Sequence, residues 1–197
     1  TFAAIRDIFA KETRRHKELL NSEKCDEYSK KTYEKLADGK VSEVELASAL
    51  LDLSAMLHKH YAVAPIIIID EYDTPIQQGY QKDYYDKVIR FMRNLFSGGF
   101  KDNQHLSFGF LTGILRVAKE SIFSGMNNLS INSVLDNKYS AYFGFTADEV
   151  MEMAEYYGAA DKYDEICQWY DGYRFGKTEI FNPWSVVNYF SNECEPR

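Results

Sequence analysis

Four consecutive isoleucines, Ile66–Ile69, run directly into two carboxylates, Asp70 and Glu71. The run is β-branched and does not alternate with polar residues, which predicts a central parallel strand buried on both faces. Pro65 stands at its entrance, where no ladder hydrogen bond is lost from the middle. Both acids then fall at the carboxyl end of the strand, the edge at which open α/β sheets bind ligands. Carboxylates beside so apolar a strand call for a cation or donor to compensate them. The first acid, Asp70, is placed to hold Mg²⁺ through water, and the second, Glu71, to orient or deprotonate an attacking water. The competing reading is a strand that simply ends in an acidic turn, Asp70-Glu71-Tyr72-Asp73.

A second signal lies about forty residues on, where Leu111-Thr112-Gly113 closes another apolar stretch. A hydroxyl there would sit at the neighbouring strand tip, within reach of a transferring phosphate or its water. Arg116, four residues later, is a cation able to stabilise transition-state charge. An ordinary strand-to-loop turn with a surface arginine competes with that assignment.

The elements that must position these groups follow from periodicity. Residues 1–20 and 24–37 read as helices. Ser42-Glu43-Val44-Glu45 is a capping box that opens a helix ending near Tyr61. After the acidic turn, Tyr85, Val88, Ile89, Met92, Leu95 and Phe96 form one helical stripe, which Ser97-Gly98-Gly99 is expected to stop. A strand over 105–111 completes a βαβ unit. Tyr142–Phe145 is a further short-strand candidate, and Thr146-Ala147-Asp148-Glu149 a second capping box. A helix around 161–170, an extended piece through Phe181, and a last helix opened by Asn182-Pro183 complete the chain.

Composition narrows the function classes. Of the 197 residues, 45% are hydrophobic and the net charge is −7, enough for a sizeable core. The charge balance is +2 over residues 1–40, −2 over 41–145 and −7 over 146–197. The acidic C-terminal part argues against binding a phosphate backbone there, and nucleic-acid binding elsewhere is left undetermined. Paired tyrosines fall at helix-core spacing or in that acidic part, so packing explains them better than base stacking. Cys25, Cys167 and Cys194 are far apart and odd in number, which suggests neither a disulfide framework nor a zinc site. His58 and His60, two apart on a helix, point in different directions and make a poor metal pair. No run of 18 apolar residues and no secretory leader are present, so a cytoplasmic setting without membrane is expected.

Taken in order, the motifs resemble a known family. They are Ile69-Asp70-Glu71-Tyr72-Asp73-Thr74-Pro75-Ile76, then Leu111-Thr112-Gly113-Ile114-Leu115-Arg116 with Asn127-Asn128, then Tyr142-Phe143-Gly144-Phe145-Thr146. Trp169-Tyr170-Asp171-Gly172-Tyr173-Arg174-Phe175-Gly176 and Asn182-Pro183-Trp184-Ser185 follow. From about residue 40 onward this is similar to the prokaryotic AAA-ATPase-like family, whose members often carry a PD-(D/E)XK nuclease-like region downstream. The resemblance implies an α/β fold of ASCE-type P-loop NTPase design, its parallel sheet flanked by helices, with Asp70 and Glu71 as the Walker B acids. It implies Thr112 near the sensor position and, in a full-length parent, ATP and Mg²⁺ as cofactors with a conformational change coupled to hydrolysis; this chain alone is expected to be inactive.

The departure from the family pattern is equally specific. Members carry an Arg-Arg-Phe-Gly-Lys-Thr phosphate loop well before the Walker B strand. Residues 1–64 hold one glycine, Gly39, and no G-x-x-x-x-G-K-[ST] can be written there. Gly172–Thr178 ends in Gly-Lys-Thr, but its glycines are four apart where five are needed, and it follows the acidic strand. The expectation is therefore a core over 1–144 that lacks the phosphate loop, followed by a small, mostly helical subdomain over 145–197. Such a chain would be a fragment, with an uncovered apolar flank that favours association. The rival class is a catalytically silent NTPase-like module that binds or regulates.

Overall fold

The computed structural model describes residues 2–101, 103–114, 122–123, 126 and 129–195. The chain forms two compact units, residues 1–128 and 129–197.

In the first unit, helix α1 (Phe2–Arg15) and a 3₁₀ turn (Lys17–Asn21) lead to α2 (Glu27–Ala37), capped by Asp26 accepting from the Ser29 amide. Helix α3 (Glu43–Tyr61) begins at the expected capping box. The Ser42 hydroxyl accepts from the Glu45 amide while the Glu45 carboxylate accepts from the Ser42 amide. These bonds satisfy orphan donors of the first turn. Ala62, in the left-handed conformation, ends α3 and turns the chain toward β1 (Ile66–Ile69).

Two helices then follow where the sequence suggested one. Helix α4 (Thr74–Gln81) starts directly after the acidic turn, with proline in its first turn. Helix α5 (Tyr85–Phe100) buries the expected stripe of Val88, Ile89, Met92, Leu95 and Phe96. It does not stop at Ser97-Gly98-Gly99 but continues through Phe100. The reason is packing. A Cβ on Gly99 would lie 2.7 Å from Leu50 of α3, so glycine here admits a close helix–helix approach that outweighs its poor helix propensity.

Strand β2 (Phe108–Leu111) pairs with β1 in parallel, in the register Ile66 with Phe108 through Ile69 with Leu111. The βαβ reading thus gives parallel neighbours. Two parts of that expectation are corrected. Among the described residues the sheet has two strands, so β1 is an edge rather than a centre. Nor is β1 buried on both faces, since Ile66 is 59% and Ile68 71% exposed. Their partners Phe108 and Phe110 are exposed with them. Burying both faces of a strand needs a layer on each, and described residues cover one. On that covered face Gly109 lies against the Phe100 ring, where a Cβ would fall 2.6 Å away.

The second unit holds α6 (Ala147–Tyr156), α7 (Tyr163–Tyr170), an antiparallel hairpin of β3 (Asp171–Phe175) and β4 (Thr178–Phe181), and α8 (Pro183–Ser191). Thr146 and Glu149 form the second capping box, and Asn182 caps α8 by accepting from the Ser185 amide. Val150, Ala154, Ile166, Phe181, Val186 and Tyr189 make its core. Instead of a strand at 142–145, Phe145 alone bridges to Phe181.

Candidate functional site

The in-register pairing of Ile69 with Leu111 brings the two strand tips to one edge of the sheet. Backbone bonds continue past the strands. The Thr112 amide donates to the Ile69 carbonyl at 2.9 Å, and the Tyr72 amide donates to the Thr112 carbonyl at 3.0 Å. The acidic turn is thereby tied to the Thr112 segment on both sides. Across this tie the Thr112 hydroxyl donates to Oδ1 of Asp70, which also accepts from the Glu71 amide at 3.0 Å. Oδ2 of Asp70 has no hydrogen-bond partner among the described residues, and the carboxylate is exposed.

Glu71 adopts a left-handed backbone with φ 52°, a conformation a non-glycine residue takes at some cost. It is held there by the turn, since the Thr74 amide donates to the Glu71 carbonyl at 3.0 Å. The Glu71 side chain is exposed, and its Oε2 lies 3.4 Å from the Thr74 hydroxyl. Asp70 and Glu71 thus leave the same strand end with different constraints. Asp70 is fixed by two donors, and Glu71 is open to solvent.

Sequence reasoning passed over Asp73. It is 1% exposed, and its Oδ2 accepts from the Gln77 side chain at 2.8 Å. A Cβ on Gly113 would stand 2.6 Å from Asp73 Oδ1 and 2.7 Å from the Tyr72 ring. The buried acid and its neighbouring ring therefore fix where the chain after Thr112 can run. The available signal was the Asp73-Thr74-Pro75 start of α4, which marks a helix opening against the strand end. Arg116, expected beside these groups, lies outside the described residues.

The donor set is carboxylate and hydroxyl oxygen, the hard chemistry that suits Mg²⁺. Among the described residues no group of three or more His, Cys, Asp or Glu gathers as a metal cage. A single carboxylate fits a cation that keeps several waters and takes its other ligands from phosphate. The Gly172–Thr178 segment is a β-hairpin whose turn places Gly176 at φ 53°, and no helix starts at Lys177. It therefore lacks the loop-then-helix geometry by which backbone amides cradle phosphates. Among the described residues no helix is long and apolar enough to cross a membrane.

The helices and the parallel strand pair, with acids at one carboxyl tip and a hydroxyl at the other, make this a mixed α/β protein. Residues 2–123 match the model of the AAA-ATPase-like family, described as predicted AAA-ATPase, and the chain belongs to that family. It is also 35% identical over 127 residues to an uncharacterized protein in the vnfD 5′ region of Azotobacter chroococcum mcd 1. That alignment covers 64% of this chain and 24% of the relative, so the match spans about a quarter of the relative's length. No solved structure matches.

Proposed function

We propose that Asp70, Glu71 and Thr112 form the metal-and-water side of an Mg²⁺-dependent ATP-hydrolysing site. The observation that supports this most is the Asp70–Thr112 hydrogen bond across the carboxyl ends of two parallel strands. In this reading β1 and β2 belong to an ASCE-type P-loop NTPase sheet. Asp70, steadied by the Glu71 amide and the Thr112 hydroxyl, keeps its second oxygen for Mg²⁺. When bound, the ion would neutralise charge on the β- and γ-phosphate oxygens. Glu71, free of strong partners at the same tip, orients the attacking water and accepts its proton. Thr112 or Arg116 serves the γ-phosphate.

Most triphosphate affinity in such enzymes comes from loop amides, a helix N-terminus and a lysine. The reading therefore assigns turnover to a polypeptide that joins this chain to a glycine-rich phosphate loop. The test is ATP binding and hydrolysis by two variants of that polypeptide. Glu71→Gln should keep Mg-ATP and lose about 10²-fold or more in rate, the scale of general-base catalysis. Asp70→Asn should weaken Mg²⁺-dependent binding as well. Near-wild-type turnover in both would remove Asp70 and Glu71 from the chemistry, and no turnover in the unmodified polypeptide would favour a silent NTPase-like module instead.

A further inference from the structure

We propose that His58 and His105 form a binding site for a divalent transition-metal ion, separate from the acidic tip. The sequence set His58 beside His60, but the structure separates them. His60 Nδ1 lies 2.8 Å from the Ser22 hydroxyl, while His58 Nδ1 lies 3.1 Å from Nδ1 of His105. The two histidines are 47 residues apart, one on the last turn of α3 and one on the loop entering β2.

The nitrogens of the His58–His105 pair suit a cation. Two imidazole nitrogens bound at about 2.0–2.1 Å to one tetrahedral Zn²⁺ lie about 3.3 Å apart. Square or octahedral geometry, as for Cu²⁺ or Ni²⁺, brings them to about 2.9 Å at similar bond lengths. The observed 3.1 Å falls between these values. The rings are 72° apart, so the two Nδ1 atoms converge without the rings stacking.

Each ring is carried on anchored backbone. The His58 carbonyl accepts from the Ala62 amide that ends α3. The His105 amide donates to the Asn103 side chain, whose own amide group donates to the Gly99 carbonyl. Without a metal, the close pair needs one Nδ1–H donor facing one bare Nδ1 acceptor. With both rings in the Nε2–H form, both Nδ1 lone pairs point at one ion, and no proton is shared. Both side chains are half-buried, which leaves the ion accessible and its remaining positions to water. Imidazole is a ligand for Zn²⁺, Cu²⁺ and Ni²⁺ rather than for Mg²⁺. The site is thus chemically distinct from the oxygen donors at Asp70.

The experiment is a Zn²⁺ titration of the full chain against a competing chelator, repeated with Ni²⁺. One equivalent should bind, and affinity should fall about tenfold or more in His58→Gln and in His105→Gln, since even indirect supports of a metal ligand are worth that much. His60→Gln should bind as wild type does. In parallel, ¹⁵N spectra of the unmodified protein should show the His58 and His105 Nδ1 resonances shifting together, complete at one equivalent. This second readout holds even where a variant folds poorly. Uptake that is unchanged in both variants, or ring resonances that stay fixed as Zn²⁺ is added, overturns the proposal and leaves a shared-proton pair.

Discussion

The Thr112 hydroxyl donates to Oδ1 of Asp70, joining the carboxyl tips of two strands whose pairing is parallel and in register. One bond therefore reports on both the register and the orientation of the acid.

Removing that hydroxyl while keeping side-chain size isolates its contribution. Thr112→Val should lower stability by about 1 kcal/mol, the usual net worth of such a bond. It should also speed hydrogen exchange at the Glu71 amide, because Oδ1 of Asp70 no longer has two donors. Thr112→Ser keeps the donor and should resemble wild type in both measurements. Identical behaviour of the two variants would show that the hydroxyl does not steady Asp70.

Gly113→Ala tests the constraint set by the buried acid. The added Cβ would meet Asp73 Oδ1 at 2.6 Å and the Tyr72 ring at 2.7 Å. Overpacking of this kind costs about 1–3 kcal/mol, to be read from denaturant unfolding. Gly172→Ala adds a methyl that meets nothing within 4 Å and should stay within about 0.5 kcal/mol of wild type. Equal effects from the two would remove Asp73 as a positioning residue.

What the sequence made legible was local. The capping boxes at Ser42 and Thr146 and the Asn182 cap each rest on residues three positions apart, and the β1-to-β2 unit on the order of strand, helix and strand along the chain. Propensity failed where packing decided. Gly98 and Gly99 read as a stop, yet α3 needs Gly99 small and α5 runs through both. Ile66–Ile69 read as doubly buried, yet Ile66 and Ile68 face outward beside Phe108 and Phe110. Asp73 against Gly113, and His58 against His105, join residues 40 and 47 positions apart, and no sequence period announces such pairs.

The α3 capping box carries a pH signature. Glu45 is held at about 2, below its ordinary 4.5, first by the Lys35 ammonium and then by the Ser42 amide. A carboxylate depressed in the folded state stabilises above its unfolded pKa, and that stabilisation is lost as pH falls through the folded value. Glu45→Gln should therefore be less stable than wild type at about pH 6, with the gap closing toward about pH 2. Raised salt should shrink the gap at neutral pH, because the Lys35 pair is exposed. A gap that stays constant with pH would mean that Glu45 acts through packing alone.

In the second unit, the hydroxyl of Tyr189 is buried without a hydrogen-bond partner among the described residues. Burial, with Glu165 nearby, pushes its pKa up to about 12. Removing an unsatisfied buried hydroxyl relieves its desolvation, so Tyr189→Phe should match or exceed wild-type stability, by up to about 1 kcal/mol. A loss of that size instead would reveal a bond that the ring orientation conceals.

The central claim, that the β1–β2 tip receives the metal of a nucleotide complex, is tested most directly by paramagnetic NMR. Mn²⁺ replaces Mg²⁺ in millimolar Mn-ATP with excess ATP, conditions that register even weak binding to this chain. Broadening should centre on the amides of Ile69–Tyr72 and Leu111–Gly113 and be lost in Asp70→Asn. Broadening that centres on the acidic residues 146–197, or that survives Asp70→Asn unchanged, would contradict it.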